Sequence, residues 1–201
     1  MIDPVLLKSA HEMLKSAHVM LKSFVAVISD TLLEMFQLSS KPNAPVMDEN
    51  GECVGVSNGS DTVKLFPEAR TVLSRLASNH YNLPTNTLFA VASSSEEPTY
   101  SRSCLANLTI DGKPMASLFH AEAIGRTGEL TSRKTTHFKS LAAQLKKSTG
   151  EDIPHSTMLF FDDCNWGDHV GDLESSLGVQ GIRTPTGLSV NLFEKGLKRF
   201  N

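Results

Sequence analysis

A chain of 201 residues, 40% hydrophobic and 20% charged, can bury one sizeable core and has room for one domain with a small insertion. A net charge of −3 and the lack of any Lys/Arg cluster argue against nucleic-acid binding. No apolar run reaches the roughly 20 residues of a membrane span, and Cys53, Cys104 and Cys164 form no CxxC pair, so they read as reduced thiols of a soluble, cytoplasmic protein.

The N-terminus carries a tandem repeat, "LKSAHEM" (7–13) followed at once by "LKSAHVM" (14–20). Leu7, Ala10, Leu14, Ala17, Leu21 and Phe24 recur at heptad spacing, which predicts an amphipathic helical extension over 1–23, either a surface helix or a loose segment. Two heptads are too few for a coiled coil. Asp3, Glu12 and the absence of Arg argue against a matrix-targeting peptide. His11 and His18 lie two turns apart, too far for a shared metal.

From residue 24 onward, strands alternate with helices. "FVAVIS" (24–29), "TLFAVAS" (87–93), "TMLFF" (157–161) and "GVQGIRT" (178–184) read as strands. Residues 68–80, 135–150 and 191–200 carry helical patterns. Such alternation predicts an α/β fold, three layers with a parallel central sheet, and reactive groups gathered at the carboxyl ends of the strands. Between the first strand and first helix, residues 40–64 hold Pro42, Pro45, Gly51, Gly55 and Gly59 with "ENGE" and "SNGS" turn signals, which predicts a small hairpin insertion overhanging that edge.

"MLFFDDCNWGD" (158–168) runs a buried strand into two adjacent carboxylates. Asp162 and Asp163 repel each other unless a cation sits on them, so a metal site is one reading. The other is that one aspartate caps a following helix and its neighbour is solvated. Trp166 in the same stretch is either a substrate-facing aromatic or a plug packed on the sheet.

Together, "LFPEARTVLSRL", "AVASSSEEPTYSRSCL", "SRKTTHFKSL" and "MLFFDD" resemble the eukaryotic magnesium-dependent acid phosphatases of the haloacid dehalogenase superfamily, over about residues 24–200. The resemblance implies a Rossmann-like fold over 24–201 and hydrolysis of phosphomonoesters, with phosphotyrosine-like compounds, sugar phosphates or a phosphoprotein as substrate. It implies that Asp162 and Asp163 hold Mg²⁺, that Ser93 holds phosphoryl oxygens, and that Lys134 neutralises the charge of phosphate and nucleophile. Read alone, Lys134 is a solvated side chain at a helix start.

The chain also departs from the family pattern. Ser93, Ser94 and Ser95 stand where Ser-Arg-Thr is usual, and "IGRTGELTSRK" (124–134) and "CNWGDHVGDLESS" (164–176) read as extended loops. The first strand of the family ends in DxDxT, whose aspartates attack phosphorus and shuttle the proton. Here the best register puts Val27, Ser29 and Thr31 at those positions, and Asp30 alternates to the opposite face. The expectation is therefore a phosphatase by descent with little or no turnover. Two further readings are a non-catalytic binder of magnesium and phosphate, and an unrelated α/β protein.

Overall fold

The computed structural model describes residues 25–28, 32–34, 44–57, 59, 61–165 and 167–200. The N-terminal repeat with His11 and His18, the strand-end residues Ser29, Asp30 and Thr31, and Trp166 all lie outside the described residues.

Five strands form one parallel sheet: β1 (Val25–Ile28), β6 (Leu88–Ser93), β9 (Ala121–Ile124), β10 (Met158–Asp162) and β11 (Gln180–Arg183). Their spatial order is β11-β10-β1-β6-β9. The chain builds outward from β1 through β6 to β9, then returns to the other side of β1 with β10 and β11. β1 is thus the point where strand order reverses, which in open α/β sheets opens a crevice beyond the carboxyl ends.

Period-two alternation sends each strand's side chains to two separate apolar layers. Ala26, Ile28, Val91, Leu159 and Phe161 face α1 (Pro67–Ala77), α2 (Pro98–Asn107) and α5 (Val190–Phe200), through Val72, Leu73, Tyr100, Cys104 and Phe193. Val25, Val27, Ala90, Ala92, Met158 and Phe160 face α3 (Lys134–Thr149) and α4 (His169–Leu177), through Phe138, Leu141, Val170 and Leu173. An aromatic pair locks each layer. Phe138 meets Phe160 edge-on at 5.1 Å, and Phe161 stacks on Phe193 at 5.2 Å. The result is a Rossmann-like α/β fold with helices on both faces.

The segment 40–64 was expected as one hairpin. Its described residues contribute three strands of a four-stranded antiparallel sheet, ordered β2 (Leu33–Glu34), β5 (Thr62–Leu65), β4 (Cys53–Ser57), β3 (Ala44–Met47). The small sheet is anchored on the first helical layer. Val56 and Val63 join its apolar cluster, and the buried Tyr100 hydroxyl donates to the Val56 carbonyl at 3.1 Å.

Two helices and one main-sheet strand go beyond the elements expected from sequence. β9 reads "AEAI", with neither β-branched pairs nor aromatics, and survives as an edge strand by pairing with β6. α2, "PTYSRSCLAN", is poor in helix formers but starts with Pro98 in its first turn. α4 occupies most of the stretch read as an extended loop after Cys164. A short β7 (Thr109–Ile110) and β8 (Lys113–Pro114) hairpin and 3₁₀ turns at Met115–Leu118 and His155–Thr157 complete the described elements.

Candidate functional site

Polar side chains collect at the carboxyl edge on either side of β1. On the β6 side, Ser93 is the final strand residue, and its hydroxyl accepts from the Ser95 backbone N–H at 3.2 Å. Ser94 and Ser95 follow, both buried, and Ser101 from α2 donates to the Ser95 hydroxyl at 2.9 Å. The loop after β9 closes over this run. Arg126 donates to the Ser94 carbonyl at 2.8 Å and pairs with Glu96 at 2.9 Å.

Lys134 opens α3 and is only 3% exposed. Its ammonium donates to the Ala92 carbonyl at 2.7 Å, across the helix–sheet boundary and next to Ser93. A buried cation in the first turn of a sixteen-residue helix opposes the helix dipole. The first turn of α3 contains no acidic residue, and its N-cap, Arg133, makes no side-chain capping bond. The end of α3 is accordingly a place where an anion gains and a further cation loses.

One helical turn on, His137 is fully buried, its Nε2 3.0 Å from both the Ser93 and Gly125 carbonyls. Burial, aided by the neighbouring Lys134 charge, pushes the imidazole below the usual histidine range, so it is neutral at pH 7 and donates through Nε2. His137 thus ties the start of α3 to the ends of β6 and β9. The i, i+3 spacing of Lys134 and His137 was the available clue that both share one helix face.

On the β10 side, Asp162 is the last strand residue and is 4% exposed. It lies 3.2 Å from His169 Nδ1, at the first residue of α4. Cys164 Sγ lies 3.9 Å from the same ring's Nε2. Asp162, Cys164 and His169 each bring one donor atom within 4.8 Å of the others, the one such metal-type grouping among the described residues. Asp163 is half-buried and is not a member of it.

The loop presenting His169 is shaped by Asp168, whose side chain caps α4 by accepting from the Gly171 N–H at 2.7 Å and also pairs with Arg183. Glycine at 171 lets the carboxylate sit close, since a Cβ there would lie 2.5 Å from it and the side chain would have to shift. The cap is thus Asp168, not either member of the aspartate pair. Its sequence signal was present, a lone aspartate ahead of "HVGDLESSLG" with Gly178 in the left-handed conformation at the far end. Between α3 and α4 runs a groove of about 360 Å³ lined by Arg133, Lys134, Thr135, His169, Asp172 and Ser176 among others.

Val27 does not stand at that edge. It pairs with Phe160 on β10 and Ala90 on β6, two residues before Asp162 and three before Ser93, with its side chain wholly inside the apolar layer beside Phe138. Ser93, Lys134 and Asp162 are brought to one end of the sheet; Val27 is core.

A doubly layered parallel sheet that reverses order at β1, with cationic and acidic side chains converging beyond its carboxyl edge, defines a Rossmann-like α/β protein with a polar, anion-compatible site. Residues 26–201 match the acid phosphatase family, and the chain belongs to it. A search of curated proteins gives no match. Among the described residues, no helix is long and apolar enough to cross a membrane.

Proposed function

We propose that the chain is a phosphomonoester phosphatase of the haloacid dehalogenase type by descent, and that it binds phosphate groups in the groove beside Lys134 while hydrolysing them weakly or not at all. The observation that carries this reading is the buried ammonium of Lys134 at the uncapped N-terminus of α3, hydrogen-bonded at Ala92 and adjoining Ser93. A phosphoryl dianion there would meet a cation, a helix N-terminus and a hydroxyl in one place, the charge stabilisation that phosphoryl transfer relies on. Substrates of this chemistry are phosphotyrosine-like compounds, sugar phosphates or a phosphorylated protein segment.

The weakness of turnover follows from the end of β1. Phosphoryl transfer through an enzyme intermediate needs an in-line nucleophile. The described residues of β1, Val25–Ile28, are all apolar and fully buried, so none of them has a lone pair to offer phosphorus. A second reading, a non-catalytic protein that binds magnesium and phosphate, is favoured by the lack of any polar side chain among the described residues of β1.

Mg²⁺ would be held by the carboxylates of Asp162 and Asp163, where it supplies charge neutralisation to phosphoryl oxygens. These two side chains suit a hard ion; the thiol and imidazole gathered with Asp162 do not.

The deciding experiment measures phosphate or vanadate binding to the full chain together with Mg²⁺-dependent release of phosphate from an aryl phosphate. The expected result is saturable phosphate binding, lost in Lys134→Met, with hydrolysis near background. Absence of phosphate binding would overturn the whole reading, and rapid turnover would overturn the weak-activity part of it.

A further inference from the structure

The mismatch between a hard ion and the donors around Asp162 has a positive side. We infer that Asp162, Cys164 and His169 form a site for a borderline divalent transition metal, Zn²⁺ being the best fit, and that metal bound there takes Asp162 away from Mg²⁺. The inference goes beyond the phosphatase reading, because it needs only the three side chains and no catalytic step.

Donor chemistry comes first. A thiolate, an imidazole and a carboxylate are a common three-ligand set for Zn²⁺, whereas Mg²⁺ takes oxygen donors almost to the exclusion of sulfur. Tetrahedral zinc with bonds of about 2.0–2.3 Å separates its donors by about 3.4–3.6 Å. Here one donor atom of each residue lies within 4.8 Å of the others. Asp162 lies against Nδ1 of His169 at 3.2 Å and Cys164 against Nε2 at 3.9 Å, so one metal on Nδ1 requires the half-buried Cys164 side chain, on a short irregular segment, to swing to that edge of the ring. Asp162 and His169, by contrast, are fixed by a strand end and a helix start, each nearly buried.

Charge supports the same conclusion. Zn²⁺ with one carboxylate and one thiolate is neutral overall, so the metal brings no uncompensated charge into a site of which two members are almost dry. On binding, the Cys164 thiol gives its proton to solvent and the sulfur lone pair goes to the metal. Three protein ligands leave a fourth position for water or an oxyanion. His169 also lines the groove with Lys134, so the proposed metal site borders the proposed phosphate site.

Sequence spacing makes the site local, D-x-C followed five residues later by H, within one strand-to-helix connection. The Asp168 cap, itself paired with Arg183, holds the start of α4, and with it His169, in place before any metal arrives.

The test uses the full chain freed of metal by a chelator and titrated with Co²⁺ as a spectroscopic stand-in for Zn²⁺. The expected result is one equivalent bound, with a thiolate-to-cobalt charge-transfer band and tetrahedral visible bands, reversed by Zn²⁺ but not by a large excess of Mg²⁺. Cys164→Ser should abolish the charge-transfer band. It and His169→Gln should each weaken Zn²⁺ more than about tenfold, at least the effect of losing an outer-shell partner. On the unmodified chain, Zn²⁺ should protect one thiol from alkylation, which peptide mapping places at Cys164 and not at Cys53 or Cys104; this arm stands even if a variant fails to fold. Cobalt bound without a charge-transfer band, or a band that persists in folded Cys164→Ser, overturns the site. None of these readouts depends on hydrolysis, so the site can fail while the phosphatase reading stands, and the reverse.

Discussion

Lys134 places its ammonium 2.7 Å from the carbonyl oxygen of Ala92, so the first residue of α3 is pinned to the penultimate residue of β6. Removing this ammonium leaves the Ala92 carbonyl without its donor in a buried setting. Lys134→Met should lower the unfolding free energy by about 1–3 kcal/mol while abolishing phosphate binding. Urea melts and a phosphate titration on the same sample check both halves. A large loss of stability with binding retained would mean that Lys134 is a structural pin only.

The burial that depresses His137, with Lys134 adding to it, makes the fold sensitive to acid in a definite sense. The unfolded chain takes up a proton as pH falls below the ordinary histidine value of 6.5, and the folded chain does so only at lower pH. Stability from this residue is therefore present above about 6.5 and lost as pH falls through the window below it. His137→Gln should flatten that part of the stability-against-pH curve, measured by denaturant melts from neutral pH downward. An unchanged slope would show that other groups carry it.

Val27 lies wholly within the apolar layer against Phe160 and Phe138, and this bounds any attempt to install an aspartate there. Val27→Asp should cost about 3–5 kcal/mol, the penalty of an unpaired buried carboxylate, and should not create activity. Equilibrium unfolding of the variant checks the cost. A stable, active Val27→Asp protein would restore the register in which position 27 is the nucleophile.

Asp168 caps α4 through the Gly171 N–H, and a Cβ at 171 would press on the capping carboxylate. Asp168→Ala in the natural background should lose about 1 kcal/mol. In a Gly171→Ala background, where the carboxylate must shift to clear the new Cβ, the same change should cost less. A double-mutant cycle by thermal or urea unfolding measures the coupling directly.

How far the sequence could be read depended on where the signal was stored. β1, β6 and β10 announce themselves as short apolar runs because central parallel strands are buried on both faces. β9, at the edge with Glu122 turned outward, carries no such run, and only its pairing with β6 makes it a strand. Asp162, Ser93 and Lys134 were identifiable by family pattern, and the fold sets them at one edge. Cys164 and His169 were hidden by the expectation of a loop, since their proximity appears only when α4 begins at His169 and turns its imidazole back toward β10. Val27 went astray because a two-residue shift along β1 keeps a side chain on the same face while moving it from the edge into the core.

The order of strands has a consequence for how the molecule comes to be. β1, the earliest of the main-sheet strands to be synthesised, is bordered by β6 on one flank and by β10 on the other, and the Val25–Met158 pairing joins early chain to late. Its second flank stays bare until most of the polypeptide exists, and closing that long loop is the kind of non-local step that slows folding. During translation an apolar strand with one open edge is therefore waiting for its partner, the interval in which such edges recruit the wrong one.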